Sequence, residues 1–211
     1  MRKIARFLIN LRRLPFVAVL LLLALSRQTA FGAEPKITVE VEKSGDAFIV
    51  NAVIDLQAPL AVAWEVFVDI DHMTNFLDNV TYSKVISRTG NVLVARQEGA
   101  VRFGPLSFSF VSEREVRLDP MKRIVTESLS GTLKRMHSEA TFVTVDQGVR
   151  IKYSAEIVPD SLLARMFGQS VVRNEVSEQF ASLGKEILRR HAIGAGAGNS
   201  SAIPVRPAEA N

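Results

Sequence analysis

The side chains best equipped for chemistry in this sequence are few. His72 follows Asp69 and Asp71, and two carboxylates with an imidazole that close form a ligand set for a divalent metal. They fall at the end of a short predicted helix, where acidic residues commonly cap the next turn, and capping is the preferred reading. Tyr153, Gln97 and Arg114 lie on or near the apolar rows of predicted strands; facing a cavity, such a set would supply acid–base groups. Arg114 is expected near a strand end, in water beside Glu113 or Glu115, since lone charges are seldom buried. Were it inside, its guanidinium would need a partner or a ligand anion. The other two histidines, His137 and His191, fall on an outward face and at a helix end. HExxH, P-loop, strand-following GxGxxG and GxSxG motifs are all missing. With no cysteine in the chain, a thiolate zinc site and a cysteine nucleophile are excluded.

These residues hang on a regular frame. Ile37, Val39 and Val41 alternate with Thr38 and Glu40, a strand with one wet face. Gly45 turns the chain, and residues 48–56 form a second strand, largely apolar on both sides. Pro59 suits the first turn of a helix, in which Val62, Ala63, Val66 and Phe67 recur at helical spacing beside Trp64. The pattern fades at Asp69, and a second short amphipathic turn carries Met73, Phe76 and Leu77. Strands are predicted over 80–88, 92–103, 106–118, 123–130, 133–145 and 149–158, divided by Gly-, Pro-, Asn- and Asp-containing turns. The last helix begins after Pro159, with Asp160 or Ser161 as its N-cap. Leu162, Leu163, Met166 and Phe167 form a first apolar patch and Gly168 interrupts it; Val172, Val176, Phe180, Leu183 and Ile187 then make a seam that faces a sheet. Arg189, Arg190 and His191 suit the negative end of the helix dipole.

Charge divides the chain unevenly. The 211 residues carry 26 Lys and Arg against 22 Asp and Glu, a net +4. Residues 1–32 hold six of the basic residues and no acid, so the remainder has 20 against 22. A basic start, an apolar run over residues 14–26, and small residues at Ala30 and Gly32 make the three-part pattern of a secretory signal peptide. The run is short for the roughly 20 residues of a spanning helix. The expectation is therefore cleavage after residue 32 and a periplasmic or secreted product, an uncleaved anchor being the alternative. A nucleic-acid surface is not indicated once that segment is set aside. Residues 33–191 form one domain, large enough to hold together without disulfides. The Gly-, Ala-, Ser- and Pro-rich residues 192–211 read as a disordered tail.

A strongly twisted antiparallel sheet curls around whatever fills its concave face, and a single helix does not fill it along its whole length. Alternation assigns the inner rows: Leu93, Ala95, Gln97, Gly99, Val101 and Phe103; Leu106, Phe108 and Phe110; Met136, Ser138, Ala140 and Phe142; Val149, Ile151, Tyr153, Ala155 and Ile157. A bulge at Gly99 or Gly104 would flip the first of these. A solid core accounts for such rows as well as a cavity does. The small residues Ala95, Gly99, Ser138, Ala140 and Ala155 among large ones favour an incompletely filled interior.

Two short helices inserted after the first strands (the segment AWEVFVDIDHMTNFL), a long meander, and a terminal helix ending in EILRR together resemble the START-like helix-grip superfamily. Its polyketide cyclases and coenzyme Q-binding START-domain proteins share this order of elements. The resemblance implies an α+β fold, in which a curved antiparallel sheet of about six to seven strands wraps a long C-terminal helix around an apolar cavity. The mostly aliphatic and aromatic interior is closer to the lipid and quinone carriers than to the cyclases, and the export signal departs from the usual setting of the quinone carriers. The candidate ligand contacts are Trp64, Phe67, Phe76, Leu93, Gln97, Phe103, Phe108, Phe110, Met136, Phe142, Ile151, Tyr153, Met166, Phe167, Val172 and Val176. The expected partner is a hydrophobic small molecule or lipid, with no cofactor and no metal; transient membrane contact is left open. Two alternatives stand beside a carrier. One is a ligand-free envelope module that docks partners through Phe76, Leu77, Met166 and Phe167. The other is a cyclase-type enzyme using Tyr153, Gln97 and Arg114.

Overall fold

The computed structural model describes residues 34–103, 106–160 and 168–199. Eight strands form one sheet in the order β1-β2-β8-β7-β6-β5-β4-β3, every neighbouring pair antiparallel. They are β1 (Lys36–Ser44), β2 (Ala47–Leu56), β3 (Val80–Thr89), β4 (Val92–Phe103), β5 (Leu106–Asp119), β6 (Arg123–Gly131), β7 (Leu133–Val145) and β8 (Gly148–Pro159). The count exceeds the expected six to seven because every turn-bounded segment finds a ladder partner, β1 and β3 included. Between β2 and β3 the chain leaves the sheet through α1 (Leu60–Val68) and a 3-10 helix (Ile70–Asn75), and re-enters at the far edge. The meander from β3 then returns across the sheet until β8 pairs with β2. The long helix α2 (Gln169–Asn199) closes the domain.

Local chemistry explains these boundaries. Pro59 is the N-cap of α1, with φ −59° and ψ 142°, one position earlier than the first-turn placement expected. Its carbonyl accepts from Val62 and Ala63 at 3.0 and 3.2 Å, so the missing N–H is not needed. Gly168 lies immediately ahead of α2, its carbonyl accepting from Val171 and Val172. The expected cap at Ser161 and the apolar patch of Leu162, Leu163, Met166 and Phe167 lie outside the described residues. So do residues 1–33, where a leader is expected. At its other end α2 continues past His191 to Asn199, so residues 192–199 extend the helix where a disordered tail was expected. Their alanines are strong helix formers and offset the glycines that suggested coil.

The inner rows follow the alternation. In β4, Leu93, Ala95, Gln97 and Gly99 are buried while their neighbours are only partly so. The β4–β5 ladder runs without a shift from Val92 with Arg117 to Phe103 with Leu106, so no bulge flips that register. Gly99 permits a close approach there. A Cβ at this position would lie 1.9 Å from the Asn79 carbonyl oxygen and 2.8 Å from the Phe110 ring. The same carbonyl accepts from Ala100 N–H at 2.9 Å. Burial of Phe48, Val50, Ile54, Ala63, Val66, Leu77, Leu93, Ile151, Phe180 and Ile187 joins the sheet, α1 and α2 in one core. α2 packs on β1, β2 and α1, and Gly184 brings it against Pro35, where a Cβ would sit 2.9 Å from the ring.

A charged clasp fixes the same end of α2. Arg190 donates to Asp69 and to Glu186 at 2.7 Å each, and Arg189 donates to Glu186 at 2.6 Å. Thus these arginines reach carboxylates instead of serving a helix end at residue 191. His72 Nδ1 lies 2.6 Å from Asp69, and Asp71 accepts from Val85 N–H at 2.8 Å. The acid–imidazole group therefore fastens the connection to β3 and α2. Burial pushes the Asp69 carboxyl up, but hydrogen bonds from His72 and Arg190 outweigh it and hold the group below the usual carboxylate range. Hydrogen bonding from Arg189, opposed by burial and aided by Arg190, does the same for Glu186. A depressed carboxyl contributes stability that is complete above its unfolded value of about 4 and is lost as pH falls through the lower folded value. Asp69→Asn is expected to melt a few degrees lower than wild type at pH 7. The two melting curves should converge as pH is lowered from about 5 to 3, which thermal denaturation followed by circular dichroism checks.

Candidate functional site

Because α2 sits close on β1 and β2, a gap remains toward the other strands. It is a cavity of about 310 Å³, within the size range of small-molecule sites. Its walls are mostly aliphatic and aromatic: Phe48 from β2, Val116 from β5, Ile124 from β6, Leu133 and Met136 from β7, and Val172, Val176, Phe180 and Leu183 from α2. Phe67, Ile70, Met73 and Leu77, from α1 and the turns after it, also line it. Among the described residues the polar side chains of the wall are Arg114, Thr126, Ser138, Tyr153, Glu175 and Gln179.

Of the sequence-derived candidates, Phe67, Met136, Tyr153, Val172 and Val176 face this cavity. Trp64, Leu93, Phe142 and Ile151 do not; they are buried in the packed core, and the Phe142 ring meets Trp64 and Phe67 edge-on with centroids 5.3 and 5.1 Å apart. Phe76 packs against the outside of the core with Arg190 over its ring at 5.7 Å. Leu77 is only 2% exposed, so the exposed Phe76–Leu77 patch required by a docking module is not formed. Phe110 lies over Gly99, and neither it nor the half-buried Phe108 reaches the cavity wall. Phe103 ends β4, and Met166 and Phe167 lie outside the described residues.

Arg114 departs most from expectation. It stands in mid-strand, opposite Ala95 of β4 and Ser128 of β6, in phase with Phe110 and Val116, and it lines the cavity. Glu113 and Glu115 point to the other face, where they meet Arg96 and Arg117. Instead Arg114 donates to the Gln97 side-chain oxygen. Burial pulls its pKa down, opposed by Tyr153 nearby. The Tyr153 hydroxyl bonds Ser138, and its ring meets Phe180 edge-on at 5.0 Å; burial pushes its pKa up despite Ser138 and the Arg114 charge. Glu175 accepts from the Asn79 amide, and its pKa is raised, chiefly by burial. Thus two of the three groups a cyclase-type enzyme would employ face the hollow, with Gln97 behind one of them. The alternation pointed to Ser138, Ala140 and Ile157; Thr126 and Glu175 carried no such signal, since each is polar within an otherwise ordinary row.

A curled antiparallel sheet holding a C-terminal helix over an apolar hollow, with a helical insertion after the second strand, defines a START-like helix-grip protein. Solved structures share the arrangement. The protein TTHA0849 of Thermus thermophilus is 19% identical with a TM-score of 0.59, the match covering 67% of this chain and 98% of that one. A STAR-related lipid transfer protein of Xanthomonas axonopodis is 13% identical with a TM-score of 0.55, covering 74% and 94%. The Zhui aromatase/cyclase of a Streptomyces species is 18% identical with a TM-score of 0.54, covering 76% and 99%. At these identities the likeness speaks for the fold. No curated protein matches the sequence. The chain belongs to the polyketide cyclase / dehydrase and lipid transport family, whose model matches residues 56–182.

Proposed function

We propose that this domain binds and carries a hydrophobic small molecule or lipid, and that it does so in the periplasm or outside the cell after removal of residues 1–32. The observation that carries the reading is the 310 Å³ cavity with its predominantly apolar wall and few polar groups, the size and lining of a small-molecule site. The family's description includes lipid transport, which agrees. Export rests on the basic, apolar and small-residue pattern of residues 1–32.

The test is direct. The protein is purified from its cellular compartment without detergent and extracted with organic solvent, and the extract is analysed by mass spectrometry. A stoichiometric apolar compound is expected, together with a mature N-terminus at Ala33. Absence of any bound compound, with no binding response to fatty acids, quinones or phospholipids, would remove the carrier reading. An intact N-terminus at Met1 would replace release by anchoring.

A further inference from the structure

Arg114 poses an electrostatic problem that the fold leaves unsolved. A guanidinium remains protonated in proteins, and a buried charge calls for a counter-charge. Among the described residues none meets it. Glu113 and Glu115 are engaged on the opposite face, and Glu175, an acid of the cavity wall, bonds Asn79 and forms no ion pair with Arg114. The Arg114 Nε is fully buried and has no hydrogen-bond partner. What the fold does supply is orientation. Ser83 Oγ donates to the Ile70 carbonyl at 2.5 Å and so accepts from the Gln97 amide nitrogen at 2.8 Å, which also approaches Met73 Sδ at 3.0 Å. That leaves the Gln97 oxygen one direction to point, toward Arg114. Ser83 and Gln97 are 2% and 3% exposed. A neutral, buried relay anchored on backbone therefore aims a cation into an apolar hollow without neutralising it.

The structure assigns Arg114 as the headgroup site of the cavity, and the ligand class as a hydrophobic molecule bearing one carboxylate, whose oxygen bonds the guanidinium where Arg114 borders the cavity while its hydrocarbon body lies along the apolar wall. A neutral oxygen would satisfy the hydrogen bond and leave the charge uncompensated; a carboxylate satisfies both. Tyr153, on the facing strand β8, offers its hydroxyl to the same region. This assignment rests on the carrier reading above and narrows it.

Binding to the full processed protein, stripped of lipid, is measured by isothermal titration calorimetry with dodecanoic acid, methyl dodecanoate and dodecan-1-ol, and with anthracene-9-carboxylic acid and its methyl ester. At least one acid is expected to bind about tenfold to a hundredfold more tightly than its ester, the scale of one charge-assisted hydrogen bond in a buried site. The chain and ring arms tell which body carries the carboxylate. Arg114→Met should erase the preference, with the ester little changed, and Arg114→Lys should retain part of it. Ligand-free Arg114→Met should melt at or above the wild-type temperature, because an uncompensated buried charge has been removed. Equal affinity for acid and ester overturns the assignment and leaves the carrier reading standing. Should Arg114→Met fail to fold because the buried Gln97 oxygen loses its donor, Arg114→Lys decides: a folded Lys variant that keeps the full wild-type preference for the acid overturns the assignment. Binding of none of the five probes counts against the carrier reading itself.

Discussion

Ala140→Trp is expected to reduce binding of any cavity ligand by more than tenfold while leaving a folded protein. Ala140 is 5% exposed and lines the hollow between Ile124 of β6 and Tyr153 of β8. An indole there grows into empty space rather than into packed neighbours, so the usual cost of overpacking, about 1–3 kcal/mol, is partly offset by the void it fills. The guest loses the same space. Displacement of an environment-sensitive fluorophore measures the affinity, and a melting temperature within about 5 °C of wild type establishes that the site, not the fold, was lost. Unchanged affinity would place the ligand elsewhere.

Gly99→Ala should have the largest effect on stability. The added methyl would occupy the position where the Asn79 carbonyl approaches to accept from Ala100, and would press on the Phe110 ring. The ring could turn, but the carbonyl belongs to the backbone entering β3 and has no free rotation of its own. A loss of about 3 kcal/mol is expected, lowering the melting temperature by roughly 6–12 °C in a domain of this size. Chemical denaturation of the variant checks it, and a loss under about 0.5 kcal/mol would mean the β3–β4 junction adapts freely.

How far the sequence discloses the site depends on which property is asked for. The face is legible: a period of two fixes which residues of β4, β7 and β8 point inward, since a slip of one residue would expose the whole row. Depth along the face is not. Leu93, Phe142 and Ile151 share the inner face of the sheet with Met136 and Tyr153, yet they are packed while the latter border the void. That difference is set by where α2 crosses, and the crossing depends on Gly184 against Pro35 and on the Arg190 clasp between distant segments. Arg114 shows the other limit. Its phase with Phe108 and Phe110 placed it inside, and only the rarity of buried charge argued against it. The support that makes burial tolerable comes from Gln97 and Ser83 on neighbouring strands, which no local pattern links.

Among the described residues β1 and β3 are the edge strands of the sheet, and on β3 the Val85 N–H is taken by the Asp71 carboxylate. Such margins invite another chain to add a strand. Here β3 breaks register twice, between Val80 and Tyr82 and again between Val85 and Ser87, which bends its outer line away from a straight ladder. β1 carries Lys36, Glu40, Glu42 and Lys43 along its length. An incoming strand would have to flatten the first margin or desolvate charge along the second, so edge-to-edge polymerisation is disfavoured at both.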